Sequence, residues 1–335
     1  MPQTIQKISA WLLLILLIGG LSGSASAIFL IALTWATNSR TEHQFLLYLL
    51  PFGGLMIGFL YHYLGQNVVK GNNQILEEHR NPAEIIPLKM APLVFIGTLI
   101  THLFGGSAGR EGTAVQMSAA MSDQFSTKFA HFGISRKTIL SMGIAAGFAS
   151  VFGTPLAGAF FAFEVTLFKQ KDWKSAFPIF LVSFVAHFVC LAFPVSHTHY
   201  EVNFIPDFSF SLLGICFTAA LLFGFASAIF SRLTAFWQHA SKKIIKYPPL
   251  RPFLGGLVLA IIFLTTPTEI YQGLGVRTIV NSFQTSQLWF VFLLKILFTS
   301  FTLGTGFKGG EVTPLFFIGA TLGSASPLCM MSLSL

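Results

Sequence analysis

The chain has 335 residues, of which 53% are hydrophobic and only 10% are charged. A soluble domain usually carries about 25% charged residues, so the composition excludes an ordinary soluble fold. The formal net charge is +8, but the basic residues are divided among separate polar connections, which argues against a nucleic-acid-binding surface.

Long apolar runs recur along the whole chain. A helix needs about 20 mainly apolar residues to cross a bilayer, and several runs reach that length. They lie at 9–37, 44–65, 91–107, 138–168, 176–195, 208–238, 253–265 and 286–306. We therefore predict an all-α polytopic membrane protein with one transmembrane domain over residues 1–335. The small residues at 22–27 resemble a signal-peptidase site, but the apolar run continues to Trp35, which predicts an uncleaved helix.

The distribution of basic residues predicts the orientation in the membrane. Three connections are rich in Lys and Arg: Lys70, Arg80 and Lys89; Lys169, Lys171 and Lys174; and Lys242, Lys243, Lys246 and Arg251. By contrast, the connection 196–207 has no Lys or Arg, and 38–43 has only Arg40. Cytoplasmic loops carry the excess of positive charge, so we expect the inner (cytoplasmic) membrane, with the amino terminus in the cytoplasm.

The first candidate anion-binding segment follows Lys70. Gly71 is followed by Asn72 and Asn73, and two amide donors at a helix start suit a small, strongly hydrated anion. A turn that ends in a helix cap is an equally good interpretation of the same residues.

The second candidate segment is a charged dipeptide among glycines, Arg110-Glu111, inside an apolar stretch. An ionisable residue at membrane depth is costly and therefore suggests a function. We predict that Glu111 lies just before a helix amino terminus, where free amides favour negative charge. An anion would compete with the carboxylate for the donors of Gly109, Arg110, Gly112 and Thr113. Protonation of Glu111 would then open the site, although a static partner of Arg110 or a plain helix cap is the alternative.

Gly153, Thr154 and Pro155 interrupt the run 138–168. Pro is favoured at the first position of a helix, so a new helix is predicted from Pro155. Glu164, near the predicted cytoplasmic end, is a possible proton-path residue, and a helix-end residue that faces water is the alternative.

A third candidate segment occurs late in the chain, where Glu311 again follows glycines. Its predicted binding positions are Gly310, Val312 and Thr313. Thr313 could cap a helix that begins at Pro314, or it could offer its hydroxyl to an anion. A second buried carboxylate would give a two-station proton path, whereas a satisfied structural glutamate is the alternative.

An offset of 200 matches Gly106, Gly109, Glu111 and Thr113 with a second set of the same residue types. The second set is Gly306, Gly309, Glu311 and Thr313. Transporters built from two inverted halves place their binding site where broken helices meet. We expect halves at about 1–195 and 205–335, with helices that are tilted, unequal and broken.

Other reactive residues suggest no further chemistry. The spacing of Cys190, Cys216 and Cys329 fits neither a metal site nor a disulfide framework, and His197 with His199 gives too few ligands for a metal. We expect no cofactor and no metal. Residues 105–109 match the G-x-S-x-G hydrolase elbow around Ser107, with His102 nearby, but that elbow needs a strand before it.

At these segments the chain resembles the CLC-type family of anion channels and transporters. The G-K/R-E-G-P turn of that family resembles residues 109–113, and its G-G-x-F-x-P turn resembles residues 309–314. A third family segment is similar to residues 152–158. The resemblance runs from the first helix to the end of the chain and implies an inverted-repeat bundle, a transport function rather than an enzyme, and a homodimer.

Departures from the family pattern indicate the branch. Chloride transporters carry G-S-G-I-P in the first anion loop, whereas residues 69–73 lack that serine. Glu311 and Thr313 resemble the fluoride/proton antiporter branch, and the inner proton-transfer glutamate of chloride exchangers would fall on Val165. The resemblance implies export of fluoride in exchange for protons, gated by Glu111. The alternatives are chloride/proton exchange or a passive chloride channel.

The chain stops at Leu335, whereas the membrane domain of the family continues for several helices. We expect a carboxyl-terminal truncation, and the missing helices include part of the dimer interface that the family implies. A non-conducting remnant is therefore a further alternative.

Overall fold

The computed structural model describes residues 3–167, 175–198, 200–202, 206–266 and 268–325, and within these ranges it is almost entirely helical. The helices are α1 Gln3–Glu42, α2 Leu50–Tyr63, α3 Asn72–Arg80, α4 Met90–Leu103, α5 Glu111–Asp123, α6 Ser126–Phe129, α7 Arg136–Phe152, α8 Pro155–Ala162, α9 Ala176–Leu191, α10 Phe210–Ile244, α11 Leu250–Thr265, α12 Val276–Asn281, α13 Val291–Gly304 and α14 Val312–Ala325. Each predicted apolar run contains a helix, so the predicted all-α membrane fold is confirmed.

Helix length varies widely, as the broken apolar runs predicted. Three helical stretches are long and apolar enough to cross a membrane, namely Thr4–Glu42, Gln44–Tyr63 and Phe210–Ile244. Several others are apolar but shorter than a full span, among them α4, α13 and α14. Short helices leave irregular backbone at membrane depth, and such backbone is tolerated only inside protein or beside a cavity.

The helix breaks fall where glycine and proline predicted them. α4 ends at Leu103 and α5 begins at Glu111, so the glycine-rich residues between them form a turn. Gly153 ends α7 with φ of 77°, and α8 begins at Pro155. Only glycine adopts such a left-handed backbone freely, and proline needs no amide hydrogen at a helix start.

One compact unit comprises Met1–Asn38, Leu60–Leu99 and Glu111–His197. Helix α7 lies at its centre, and every residue from Thr138 to Val151 is buried. A side chain at Gly147 would place its Cβ 2.6 Å from the Ala114 carbonyl oxygen of α5. Because these two helices approach backbone to backbone, small residues fill their contact, as is usual between membrane helices.

The other compact unit comprises Ser39–Phe59, Ile100–Arg110 and Thr198–Leu335. Its core includes Ala226 and Phe230 of α10, Ile296 of α13 and Ile318 of α14. Only 6% of the apolar 18-residue stretch of α10 is buried. A long helix with so much exposed apolar surface indicates contact with lipid.

Candidate anion site

The two glycine-rich turns pair with each other through their backbones. Gly109 N donates to Gly310 O and Gly310 N donates to Gly109 O, each at 2.7 Å. A Cβ at Gly309 would lie 2.5 Å from the Ala108 Cβ. The turns can therefore approach this closely only because a glycine occupies position 309.

Backbone and hydroxyl groups of α4 and α13 fix the position of the first turn. Gly106 N donates to Thr101 O at 2.8 Å, and Ser107 Oγ lies 2.8 Å from Thr299 Oγ1 of α13. The second turn is linked to the same threonine, because Lys308 N donates to Thr101 Oγ1 at 3.3 Å. Side chains from α4 and α13 thus set the position of both turns.

The residues of the hydrolase motif do not form a catalytic pair. Ser107 Oγ bonds to Thr299, whereas His102 Nε2 lies 3.1 Å from the Ala108 carbonyl oxygen. Helix α4, rather than a strand, precedes the turn. A nucleophile elbow needs a strand, a turn and a helix, so the motif match has no structural counterpart.

Glu111 is the first residue of α5 and is completely buried, at 0% exposure. The prediction placed it just before the helix, so the difference is a single residue. The first amides of a helix have no partner within the helix, and the helix dipole favours negative charge at this end. Two residues further on, Thr113 Oγ1 lies 2.7 Å from Thr98 Oγ1 of α4.

Glu311 has a different environment, and two expectations about this segment are wrong. Its backbone carbonyl accepts from Leu315 N at 3.0 Å, which makes it the residue before the first turn of α14, and it is exposed rather than buried. Thr313 is buried, but it lies inside the first turn because α14 already begins at Val312. It therefore does not cap a helix that starts at Pro314.

The offset that relates the two turns is 201 rather than 200. Adding 201 to the ends of α4, Met90 and Leu103, gives the ends of α13, Val291 and Gly304. The same offset relates the paired glycines 109 and 310. In this register Glu311 corresponds to Arg110 and Glu111 to Val312, so the two glutamates are not equivalent positions of a repeat.

The Gly71 segment is a helix start, as predicted. Gly71 precedes α3 with φ of 56°, a left-handed conformation that favours glycine. Asn72 and Asn73 are the first two residues of α3, and both are exposed.

Sequence reasoning missed Gln116, which lies on α5 and is 8% exposed. A Cβ at Gly71 would lie 3.0 Å from the Gln116 Oε1, so the carboxamide lies against the start of α3. The signal in the sequence was a polar residue five positions after Glu111 on an otherwise small or apolar helix. A buried carboxamide needs hydrogen-bond partners, which makes it a candidate ligand for an anion.

An ionic cluster holds α3 in place on the same unit. Arg136 donates to Asp123 through Nε at 2.8 Å and Nη2 at 2.7 Å, and Nη1 donates to Glu78 of α3 at 2.9 Å. Burial raises the pKa of the Glu78 carboxyl, but the Ala83 and Glu84 amides and the Arg136 guanidinium lower it by more. The pKa therefore lies below the ordinary value of 4.5.

Glu164 lies on a π-helical turn, Phe163–Leu167, and is exposed. An exposed carboxyl at this position suits a proton-path residue that opens to water as well as a helix-end residue at the surface. Two residues further along, Thr166 Oγ1 lies 2.8 Å from Ser141 Oγ, which in turn lies 3.1 Å from His79 Nε2.

Among the residues that the structure describes, no group of three or more His, Cys, Asp or Glu side chains could hold a metal ion. Cys190 and Cys216 are free thiols, and His197 Nε2 lies 2.9 Å from the Ser150 carbonyl oxygen. His199 and Cys329 lie outside the described residues, as do the basic residues at 169, 171 and 174.

These features define a class of protein. A polytopic helical chain carries a buried carboxylate at the start of a broken helix, directly after a turn whose glycine backbone is held by hydrogen bonds. Broken helices with ionisable residues at membrane depth are typical of ion-transport proteins.

Comparisons with known proteins agree with this class. The sequence profile described as "Voltage gated chloride channel" matches residues 53–334. The chain is 45% identical to a "Chloride/fluoride channel protein" of Pseudomonas syringae pv. tomato, over 95% of this chain and 72% of that one. It is 28% identical to an "H(+)/Cl(-) exchange transporter ClcA" of Cronobacter sakazakii, over 94% of this chain and 72% of that one.

Solved structures agree as well. The "Crystal structure of a CLC-type fluoride/proton antiporter" matches with a TM-score of 0.90 and 31% identity, and covers 97% of this chain and 84% of that one. A slow cyanobacterial Cl⁻/H⁺ antiporter matches with a TM-score of 0.75 at 16% identity, which supports the fold alone.

The chain belongs to the voltage-gated chloride channel family, also called the CLC family. The resemblance inferred from the sequence is thereby confirmed. Members of this family are channels, exchangers and antiporters, so the protein is an ion-transport membrane protein and not an enzyme.

Proposed function

We propose that the protein exports fluoride across the cytoplasmic membrane in exchange for protons. The observation that carries this proposal is Glu111, a completely buried carboxylate at the first residue of α5. No other titratable group among the described residues combines full burial with a helix start that follows a glycine turn. The 45% identical relative named for chloride and fluoride supports the choice of ion.

In this mechanism a carboxylate and an anion alternate in one place. When ionised, the Glu111 carboxylate occupies the amino-terminal end of α5, because that end of the helix favours negative charge. Protonation neutralises the side chain and releases the amides, and the anion then replaces it. Each cycle of the side chain moves one proton against the movement of an anion, so one residue is both gate and proton carrier.

The donors for the anion come from three segments. They are Gly71, Asn72 and Asn73; Gly109, Arg110, Gly112 and Thr113; and Gly310, Val312 and Thr313. Fluoride is small and strongly hydrated, so amide and hydroxyl donors must replace the water that it loses. Glu311, exposed before α14, assists proton coupling at the surface, and Glu164 is a further station on the proton path.

The test uses the protein in lipid vesicles loaded with fluoride. Fluoride efflux is recorded with an electrode while proton uptake is followed with a pH-sensitive dye. Glu111→Gln cannot exchange a proton, so we expect proton-coupled efflux to be lost. The matched control is Glu42→Gln, because Glu42 is an exposed glutamate at the end of α1. Unchanged coupling in Glu111→Gln would rule out the mechanism.

The alternative function is chloride/proton exchange or passive chloride conduction by the same fold. The relatives named as H(+)/Cl(-) exchange transporters favour it. The absence of serine at residues 69–73 favours fluoride instead. Initial rates in vesicles that contain equal fluoride and chloride separate the two, because we expect fluoride to leave faster in an antiporter of this kind.

We further propose that residues 1–335 form one membrane domain with a cytoplasmic amino terminus and that the protein forms a homodimer. The excess of Lys and Arg in alternate connections supports the orientation, and the family resemblance supports the dimer. Labelling of single cysteines introduced at Lys7 and at His43 from each side of intact cells tests the orientation. Light scattering of the purified protein tests the dimer.

A further inference from the structure

We infer that Lys295 is a positioning residue for anion transport. It acts through a short intervening segment, which holds in place the glycine turn that precedes Glu111. This inference rests on the proposed function for its transport readout, although its structural readout does not. Lys295 lies in the second turn of α13 and is 0% exposed. A buried lysine on an apolar membrane helix is costly and needs a function.

The amino group of Lys295 makes two hydrogen bonds to backbone. Its Nζ donates to the Tyr271 carbonyl at 3.0 Å and to the Gly273 carbonyl at 2.8 Å. It also lies 5.1 Å from the centre of the Phe317 ring of α14. We call residues 269–273 the brace segment, because two of its carbonyls accept from Lys295 while its Gly273 amide bonds to a different segment.

The brace segment contacts the first glycine turn directly. Gly273 N donates to the Gly106 carbonyl at 3.0 Å. The adjacent Gln272 is 6% exposed, and its Oε1 accepts from Arg40 Nη1 at the end of α1. Lys295 therefore fixes one side of the brace segment, Arg40 fixes the other, and Gly106 depends on both.

Helix α13 holds the same turn at a second point. Thr299, one helical turn after Lys295, bonds to Ser107 Oγ at 2.8 Å. Residues four apart lie on the same face of a helix, so Lys295 and Thr299 present one face to the brace segment and the turn. The turn then continues to Gly109, whose pairing with Gly310 requires the two turns to stay aligned.

Lys295 therefore positions the residues of the turn and does not itself bind the anion. Lys295 touches the brace segment rather than the anion site, yet it sets where Gly106, Ser107 and Gly109 lie. Without its amino group, two buried carbonyls lose a donor, and buried polar groups are costly when unsatisfied. The brace segment would move, and the amides that follow Gly109 would no longer point toward the same place.

The experiment compares Lys295→Met, which keeps the length and removes the donors, with Lys295→Arg, which keeps donors. In vesicles we expect Lys295→Met to raise the apparent KM for fluoride by about tenfold, because amide donors out of position bind the anion poorly. The maximal rate should fall less than the KM rises. Lys295→Arg should recover part of the loss, because a guanidinium still donates but has a different shape.

A second readout does not depend on transport. Hydrogen exchange of the purified protein should become faster in residues 104–110 and 268–275 of Lys295→Met, while residues 312–325 of α14 keep their protection. The matched control is Thr321→Val, since Thr321 is 0% exposed in the same unit and its hydroxyl bonds only within α14 in the described structure, to Phe317 O at 2.8 Å. The control should change neither the KM nor exchange in the turn.

Failure of the inference is distinguishable from failure of the proposed function. If the wild-type protein carries no fluoride, hydrogen exchange still decides the role of Lys295. If Lys295→Met does not fold, Arg40→Gln removes the other support of the brace segment from a half-buried position, and the same changes are expected to be smaller. Unchanged KM and unchanged exchange in the folded variant would overturn the inference.

Discussion

Replacement of Arg136 by Met should show how burial changes the contribution of an ion pair to the free energy of unfolding of this protein. Arg136 makes two bonds to Asp123 and one to Glu78, and it also bonds to the Glu84 carbonyl. Asp123 is 0% exposed. Removal of one partner from a buried pair typically costs about 3–5 kcal/mol, because the remaining charge stays buried.

We expect a loss of about 3 kcal/mol in the free energy of unfolding, at the lower end of that range. Asp123 keeps two donors, the Ile86 amide at 2.8 Å and the Ser126 hydroxyl at 2.7 Å. The chain offers a control with the same separation of charges. Lys70 and Glu77 also lie 2.7 Å apart, but their side chains are 65% and 59% exposed, so Lys70→Met should cost roughly 0–1 kcal/mol.

The assay is denaturant unfolding of the purified protein in detergent, followed by circular dichroism at several pH values. Because the pKa of Glu78 is lower in the folded protein than the ordinary 4.5, its contribution is present above pH 4.5 and is lost as the pH falls through the folded value. The difference between wild type and Arg136→Met should therefore narrow in acid. Equal losses for Arg136→Met and Lys70→Met would refute the reasoning.

Two further substitutions test the glycine turns and the residue that the sequence did not reveal. Gly309→Ala places a Cβ 2.5 Å from the Ala108 Cβ, so it should separate Gly109 from Gly310 and abolish fluoride transport. The control Gly319→Ala, whose Cβ meets nothing within 4 Å, should keep wild-type rates. Gln116→Leu keeps the volume but removes the carboxamide next to Gly71, and fluoride affinity measured by calorimetry should fall by about tenfold; unchanged affinity would remove Gln116 from the site.

Much of the fold was predictable because its signals are local. The apolar runs predicted the helices, since a membrane segment must be long and uncharged. The break at Gly153 and Pro155 followed from the backbone geometry of these two residue types alone. The buried position of Glu111 at a helix start was predicted for the same reason. Its glycines and the apolar residues after it are neighbours in the sequence.

The remaining features depend on contacts between distant residues. The pairing of Gly109 with Gly310 shifts the repeat from 200 to 201, and a difference of one residue is invisible when both turns are rich in glycine. The exposed position of Glu311 depends on where α14 begins, and the proline at position 314 suggested a start two residues later than the observed one at Val312. Lys295 did carry a signal, because it is a lone charge in the run 286–306, but its partners lie on a segment more than 20 residues away, at 24 and 22 residues.

Proton exchange that accompanies fluoride binding tests the role of Glu111 most directly. Calorimetry in two buffers of different ionisation enthalpy, at several pH values, gives the number of protons taken up as fluoride binds. We expect the wild-type protein and Glu42→Gln to take up protons on binding and to bind more tightly as the pH falls, and we expect Glu111→Gln to lose both effects. Fluoride binding by the wild-type protein without proton uptake, at every pH, would contradict the exchange of carboxylate and anion at the start of α5.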